Sequence, residues 1–255
     1  MTQTLFAKYR KVLEQTFIPI FAKDDYDTEV LLKGCELAGV KVIEYTLRRD
    51  DAAQVIPTLK ERYPDNVVFV GSTIDDDAIV AQMKEKCSQL MTVDEVAPYV
   101  DGFVSMLPYT NETLQKYHDT HILIPAAETS GEAFRQMKNG ATFIKTCGPD
   151  FSFSKTLHAV PTFNYCPTFI TGGVNRDRMD EAFEAGNILC AAGIEVVLKG
   201  EKPEKLTAER VAELVSLYIN TAKEAREKVN PQLKDIENMS DEEFLKALPN
   251  YCSLR

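Results

Sequence analysis

Residues 37–48 read LAGVKVIEYTLR, and this stretch shows how the chain is organised. A helical pattern ends at Ala38, Gly39 suits the left-handed conformation that often follows a helix, and an apolar run begins at Val40. The same order of helix end, small residue and strand returns at residues 138–141 (KNGA) and 184–187 (EAGN). We interpret this recurrence as weak internal repetition of one strand–helix unit.

Short apolar runs alternate with amphipathic stretches of helical period along most of the chain. Eight runs are predicted to be strands, at residues 17–21, 40–47, 67–70, 102–106, 122–124, 141–145, 167–171 and 188–192. Helices are predicted between most of them, for example at residues 28–38, 51–63, 75–86, 130–139 and 176–185. Such alternation is typical of an α/β protein with a parallel sheet. Eight repeats in 255 residues favour a closed (β/α)8 (TIM) barrel over an open doubly wound sheet.

The composition changes after Gly200. Residues 201–205 are charged, residues 206–229 have the pattern of a long amphipathic helix, and residues 240–248 that of a short helix with Ser240 as its N-cap. We therefore divide the chain into a barrel at residues 1–200 and a C-terminal helical extension at residues 201–255 that packs on the barrel. The long helix is equally compatible with a role as barrel cover or as a contact between subunits.

Charge and composition exclude several classes of protein. A formal net charge of -10 argues against non-specific binding to nucleic acid or to an anionic membrane, since both require clustered lysine and arginine. No apolar run approaches the roughly 20 residues that span a bilayer, and the N-terminus does not resemble a signal peptide. The six cysteines form no C-x-x-C pair, and without a secretion signal they suggest reduced thiols in the cytoplasm.

Glu44 and Lys145 are charged residues within predicted strands. Alternation along a strand puts Glu44 and Thr46 on one face, with Arg48 following, and Lys145 on the face of Phe143. An inward residue near the carboxyl end of a barrel strand lies where barrel active sites are built. A lysine amine that desolvation has freed of its proton attacks a ketone and forms an imine. The alternatives are a structural Glu44–Arg48 ion pair and a Lys145 that extends to solvent.

Two glycine-containing turns give weaker signals. Gly172-Gly173 after run 167–171 suits close approach to a ligand, although a plain tight turn explains the pair as well. Residues 71–73 (GST) place a hydroxyl at the mouth of the third predicted strand, where Thr73 or Asp75 is also suited to cap the next helix.

Nothing in the sequence predicts a metal or a cofactor. The three aspartates at residues 75–77 are explained by the preference for acidic residues in a first helical turn, and the three histidines have no metal-ligand spacing. The chain also contains no G-x-S-x-G, P-loop or G-x-G-x-x-G motif. We therefore expect no metal site and no cofactor.

Taken together, the motifs resemble those of the 2-keto-3-deoxy-6-phosphogluconate/4-hydroxy-2-oxoglutarate (KDPG/KHG) aldolases. Residues 42–48 (VIEYTLR) resemble the E-x-T-L-R motif of that family, residues 140–145 (GATFIK) its lysine strand, and residues 171–174 (TGGV) its T-G-G-I segment. Further matches are Pro19 in the first run, residues 71–74 (GSTI) for G-x-G-T-V, and residues 124–125 (IP) with 129–132 (TSGE) for P-G-x-x-T-x-x-E. Order and spacing hold over about residues 5–198.

This resemblance implies a homotrimeric class I aldolase that binds pyruvate and needs no metal, because an imine itself acts as the electron sink. It implies that Lys145 forms the imine and that Glu44 shuttles protons between the intermediates. The substrate-binding residues that it implies are Arg48, Thr73, Thr171, Gly172 and Gly173. The products would be pyruvate and an aldehyde, or the reverse reaction would join them.

The distal part of the family pattern is not kept. Family members usually follow the lysine with an F-P-A type segment, which helps to bind a substrate phosphate, whereas residues 146–150 read TCGPD and place the acidic Asp150 there. Phosphate-binding members often end strand eight with G-G-S, and residues 192–194 (AGI) lack that hydroxyl. We therefore predict a second substrate that is not the usual phosphorylated sugar acid. Alternative functions are another keto-acid lyase or decarboxylase of imine or enolate type, and a binding barrel without catalysis.

Overall fold

A computed structural model describes residues 2–159 and 166–249 of the chain. Its strands are β1 (Phe17–Phe21), β2 (Val42–Thr46), β3 (Val67–Thr73), β4 (Gly102–Ser105), β5 (Ile122–Ile124), β6 (Ile144–Cys147), β7 (Thr168–Thr171) and β8 (Leu189–Gly193). Its helices are α1 (Gln3–Gln15), α2 (Thr28–Leu37), α3 (Ala52–Arg62), α4 (Asp77–Lys84), α5 (Val93–Val96), α6 (Asn111–Tyr117), α7 (Ser130–Lys138), α8 (Ser152–Ala159), α9 (Met179–Glu184), α10 (Ile194–Val197), α11 (Ala208–Val229) and α12 (Asp241–Ala247).

All eight strands belong to one parallel sheet with the order β5-β4-β3-β2-β1-β8-β7-β6. The two ends of this order meet where the Lys145 amide donates to the Pro125 carbonyl at 2.8 Å and the Ala127 amide donates to the Lys145 carbonyl at 3.2 Å. The sheet is therefore a nearly closed barrel, and the predicted (β/α)8 fold is confirmed. The strand order follows the chain, as expected when each strand is joined to the next by a helix.

Some element ends differ from the prediction. Strand β6 begins three residues later than predicted, because the Ala141 amide donates to the Gln136 carbonyl and completes the turn after α7. Strand β3 extends three residues further, to Thr73, through an irregularity at Ser72, which has a φ of 64°. Ser240 caps α12 as predicted, in a reciprocal capping box with Glu243.

The strands divide two apolar layers between their two faces. The inner layer contains Ile18, Ile20, Val42, Val67, Phe69, Val104, Ile122, Ile124, Phe143, Phe169, Leu189 and Ala191. The residues between them on the strands, such as Ile43, Tyr45, Val68, Val70, Ile144, Ile170 and Cys190, pack in the outer layer with the helices. Alternation of side chains thus decides which strand residues can reach the interior of the barrel.

Helix α1 closes the amino-terminal end of the barrel. Its buried residues Leu5, Tyr9, Val12 and Leu13 recur at helical spacing and belong to the inner layer. The Tyr9 ring stacks on Phe143 with ring centroids 5.3 Å apart, and Phe244 of α12 packs edge-on against Tyr9. This end is therefore filled with apolar side chains, which leaves the carboxyl ends of the strands as the polar mouth.

Helix α11 lies in the ring of helices around the barrel. It packs on α2, where Gly34 lies directly against Val211, and on α9, where Lys228 pairs with Asp180 at 2.8 Å. Between these two helices α11 packs on β1, where the Tyr218 ring lies 5.3 Å from the Phe17 ring. The division of the chain at residue 200 stays a prediction.

Within residues 2–159 and 166–249, none of the helices has both the length and the apolar character needed to cross a bilayer.

Candidate active site

Glu44 lies on the inner face of β2, two residues after the inward-facing Val42. It is only 2% exposed, and its Oε1 atom lies 2.1 Å from the place that a Cβ on Gly71 would occupy. Any side chain at Gly71 would therefore displace the carboxylate. The glycine of the third strand explains how a glutamate fits inside the barrel.

The environment of Glu44 favours its neutral form. Burial raises the pKa of the Glu44 carboxyl, and the positive charges of Lys145 and Arg48 oppose that shift without cancelling it. Its Oε2 atom has no hydrogen-bond partner within the described part of the chain. A carboxyl group whose pKa is raised by burial is better suited to take up and return protons than one in water.

Lys145 lies on the inner face of β6, two residues after Phe143, and is 5% exposed. Its backbone is fixed on both sides, because Lys145 is in register with Phe169 of β7 and bonds to Pro125 beyond β5. None of the described carboxylates lies within 4.0 Å of its nitrogen. The burial rules out a Lys145 side chain that merely extends into solvent.

The two consecutive arginines after β2 have different environments. Arg48 is exposed, and among the described residues it makes no ion pair with Glu44 within 4.0 Å, although its charge acts on that carboxyl. Arg49 is the buried one, and it bonds to Asp51 and to the hydroxyl of Tyr45 in the outer layer. The alternative of a structural Glu44–Arg48 ion pair is therefore wrong.

Thr73 lies at the mouth, but its hydroxyl is already engaged. It donates to the Val104 carbonyl at 3.1 Å and lies 2.5 Å from the hydroxyl of the buried Tyr109. The negative charge of Glu44 contributes to raising the pKa of Tyr109, although burial is the main cause. The interpretation of Thr73 or Asp75 as a helix cap is wrong, because Asp76 caps α4.

Thr171, Gly172 and Gly173 form the end of β7. The Thr171 hydroxyl is buried and lies 3.2 Å from the Cys147 sulfur at the end of β6. Both glycines have positive φ angles, 78° and 68°, which glycine adopts at no steric cost. A Cβ on Gly173 would lie 2.6 Å from the Pro149 Cα, so close packing of two loops requires this glycine.

The structure also shows what two of the matched motifs do. In the TSGE segment, Thr129 and Glu132 form the capping box of α7. Asp150 is exposed, and its carboxylate accepts a hydrogen bond from the Ser152 amide at the start of α8. That bond lowers the pKa of Asp150, so a negative charge follows β6.

Three residues near this site are missing from the sequence-based set. Thr46 shares the inner face of β2, and its buried hydroxyl has no partner among the described groups; strand alternation already indicated it. Tyr109 precedes the N-cap of α6, and no sequence pattern marks it. Glu195 follows β8, and its carboxylate folds back over Gly193, which only the packed structure reveals.

No protein-family model matches the chain. The chain is 25% identical over 187 residues to a 2-dehydro-3-deoxy-phosphogluconate aldolase from Pseudoalteromonas atlantica. The aligned region covers 69% of this chain and 77% of the relative.

Solved structures share the fold. The KDPG aldolase of Zymomonas mobilis ZM4 with 3-phosphoglycerate has a TM-score of 0.61 and 18% identity, covering 83% of this chain and 94% of the other. The KDPG aldolase of Legionella pneumophila, with pyruvate captured at low pH as a covalent carbinolamine intermediate, has a TM-score of 0.59 and 20% identity over 81% and 96% of the two chains. The chain is thus similar to KDPG/KHG aldolases in sequence and in fold, as its motifs indicated.

Proposed function

We propose that the protein is a class I aldolase, a carbon–carbon lyase that cleaves a 2-keto acid to pyruvate and an aldehyde or joins the two. The observation that carries the proposal is the burial of Lys145 and Glu44 together inside the barrel. Both are buried on the inner faces of strands, Glu44 in the middle of β2 and Lys145 at the second residue of β6, and the charge of the lysine acts on the carboxyl. The similarity to KDPG aldolases supports the same activity.

In the synthetic direction the reaction begins with attack of the neutral Lys145 amine on the ketone carbon of pyruvate. The resulting carbinolamine loses water to give an imine, which withdraws electrons from the adjacent methyl group. Glu44 accepts a methyl proton, and the enamine that forms attacks the aldehyde carbon, whose oxygen takes up a proton. Water then releases the product and restores the amine. The raised pKa of Glu44 suits it for both taking and returning these protons.

The carboxylate of the keto acid requires a cation at the mouth. We assign this role to Arg48, whose charge already acts on Glu44 and whose side chain is exposed. Thr73 is proposed as a wall of the same subsite, since its proton is donated to Val104. Thr171, with the amides around Gly172 and Gly173, lines the side of the pocket at β7.

We propose that the second substrate lacks a phosphate group. The ionised Asp150 follows β6, and Ile194 stands where phosphate-binding members of the family have a serine. The negative charge of Asp150 disfavours a phosphate placed beside it, because like charges repel each other.

We further propose a homotrimer that acts in the cytoplasm. Large apolar side chains remain exposed at Met106, Leu107 and Phe134, where a subunit contact would bury them. The five described cysteines are free thiols, as expected in a reducing compartment.

The proposal is tested by incubating the protein with pyruvate and sodium borohydride, followed by intact mass and peptide mapping. We expect a reduced pyruvyl adduct on Lys145. Lys145→Ala should form none and lose about three or more orders of magnitude in aldol cleavage rate. Lys155→Ala, which removes an exposed lysine from α8, is the matched control and should behave as the wild type. A folded wild-type protein without an adduct would contradict the imine mechanism.

A further inference from the structure

Glu195 stands in the first turn of α10, directly after β8. Leu189 and Ala191 point into the barrel, so Gly193, two residues further along the strand, faces the same side. Both carboxylate oxygens of Glu195 lie 2.4 Å from the position that a Cβ on Gly193 would take. The Glu195 carboxylate therefore occupies the space above the barrel interior at the end of β8.

This carboxylate lies two strands away from Glu44, on the same side of the barrel mouth. Ile20 of β1 is in register with Glu44 on one side and with Gly193 on the other. Because neighbouring strands are about 4.8 Å apart, the Cα atoms of Glu44 and Gly193 are separated by about 10 Å. Glu195 thus borders the mouth that contains Glu44, at a distance suited to the far end of a short substrate.

Glu195 is available as a hydrogen-bond acceptor. Its Oε2 atom is buried and has no partner within residues 2–159 and 166–249. A buried carboxylate oxygen without a donor is costly, which favours a ligand that supplies one.

The surroundings of Glu195 are acidic. Tyr26 has a raised pKa because of its burial and, after that, because of the negative charges of Asp25, Glu195 and Glu201. Two arginines that follow β7 and β8 are already paired, Arg178 with Glu181 at 2.7 Å and Arg210 with Glu201 at 2.8 Å, and the charge of Arg176 acts on Tyr218 of α11. This side of the mouth therefore has the wrong charge for a phosphate.

We infer that Glu195 determines the specificity for the second substrate, an inference that rests on the aldolase function proposed above. It accepts a hydrogen bond from a hydroxyl group of an uncharged hydroxyaldehyde, and its charge repels an aldehyde with a phosphate at the same end. The substrate class is therefore a short, unphosphorylated hydroxyaldehyde. Glutamine at this position keeps the shape and an acceptor oxygen but removes the repulsion.

The test compares kcat/KM for aldol addition of pyruvate to glyceraldehyde and to glyceraldehyde 3-phosphate. The wild type should prefer glyceraldehyde. Glu195→Gln should raise the ratio of phosphorylated to unphosphorylated activity about tenfold or more, because like-charge contacts strongly disfavour a wrong partner. Asp25→Asn removes the same unit of charge from an exposed site nearby and should leave that ratio within about twofold of the wild type, as rim charges have small effects. Glu195→Ser provides a second variant with a smaller side chain.

The pyruvate adduct separates failure of this inference from failure of the proposed function. If wild type and both Glu195 variants form the Lys145 adduct but share one aldehyde preference, Glu195 does not select the substrate. A wild-type preference for the phosphorylated aldehyde would overturn the inference as well. If the folded wild type forms no adduct with pyruvate, the aldolase function itself fails, whatever Glu195 does.

Discussion

Charged groups on the two faces of strand β2 differ in whether they have hydrogen-bond partners. On the inner face, the buried Glu44 has a carboxyl oxygen without a hydrogen-bond partner among the described residues. On the outer face, one residue along, Tyr45 belongs to a network in which Arg49 and Asp51 satisfy each other. Both faces are buried, so burial alone does not distinguish a structural charge from a chemical one; the state of pairing does.

The outer network is densely bonded. The Arg49 guanidinium donates to the Tyr45 hydroxyl at 2.8 Å, to Asp51 at 3.0 Å and to the Thr28 hydroxyl at 2.6 Å. These partners lower the pKa of Asp51 to about 2 in spite of its partial burial. The network joins the end of β2 to the start of α2, so it fixes the turn that carries Arg48. The inner face has no such compensation and is therefore free for chemistry.

The largest expected effect comes from the inner face. Glu44→Gln should lower aldol cleavage by about 10² to 10⁴, the usual range for loss of a general acid–base group, while imine formation on Lys145 slows but remains detectable. The variant should be at least as stable as the wild type at pH 7, because it removes a carboxyl that burial disfavours. Steady-state kinetics and urea unfolding measure the two quantities.

Equal activity of wild type and Glu44→Gln would mean that Glu44 is a structural residue and that the inner face has no catalytic group there. Thr58→Ser on the exposed side of α3 is a suitable mock substitution, because it should change neither quantity.

The next effect concerns the neighbouring arginines. Arg49→Met should lower the free energy of unfolding by about 3 kcal/mol, since it leaves the partners of a buried ion pair without their cation. Arg48→Met, at an exposed site, should change it by less than about 0.5 kcal/mol but should raise KM for the keto acid. Urea unfolding of both variants measures the two changes in the free energy of unfolding. Similar losses in both would mean that the two faces are not distinct.

The smallest effect is a difference in pH dependence. Asp51 has a lowered pKa, so its contribution to stability is present above its ordinary pKa and is lost as pH falls towards about 2. Glu44 has a raised pKa, so its ionisation destabilises the fold as pH rises from its ordinary pKa to the raised one. The stability difference between wild type and Asp51→Asn should therefore shrink on acidification, whereas that between Glu44→Gln and wild type should grow as pH rises above about 4.

Unfolding free energies of wild type, Asp51→Asn and Glu44→Gln, measured between pH 2 and pH 8, test the direction of both pH dependences. A difference for Glu44→Gln that does not depend on pH would mean that its carboxyl is not perturbed in the folded state.

Much of the barrel was predictable because strand alternation is a local property. Runs 17–21 and 122–124 coincide with β1 and β5, and the inward phase of Val42, Phe143 and Phe169 follows from a period of two. The closure of the amino-terminal end of the barrel by α1 was not predicted, since an amphipathic helix does not reveal what its apolar face covers.

The candidate site was predictable to a smaller extent. The positions of Glu44 and Lys145 follow from alternation, but the roles of Arg48 and Arg49 do not. Two identical residues stand side by side, and only the packing of α2 decides which of them is buried. The same holds for Thr73, whose hydroxyl is directed by Tyr109, 36 residues further along the chain.

The spacing of neighbouring residues is enough to predict the strand–helix alternation, the barrel and the inward positions of Lys145 and Glu44. Three contacts become visible only in the folded barrel: Glu44 fits against Gly71, Arg49 pairs with Asp51, and Glu195 reaches over Gly193 to the mouth. These contacts join residues from different strands and loops, so no local pattern encodes them. They depend on the register and the closure of the barrel, which arise only when all eight strands are in place.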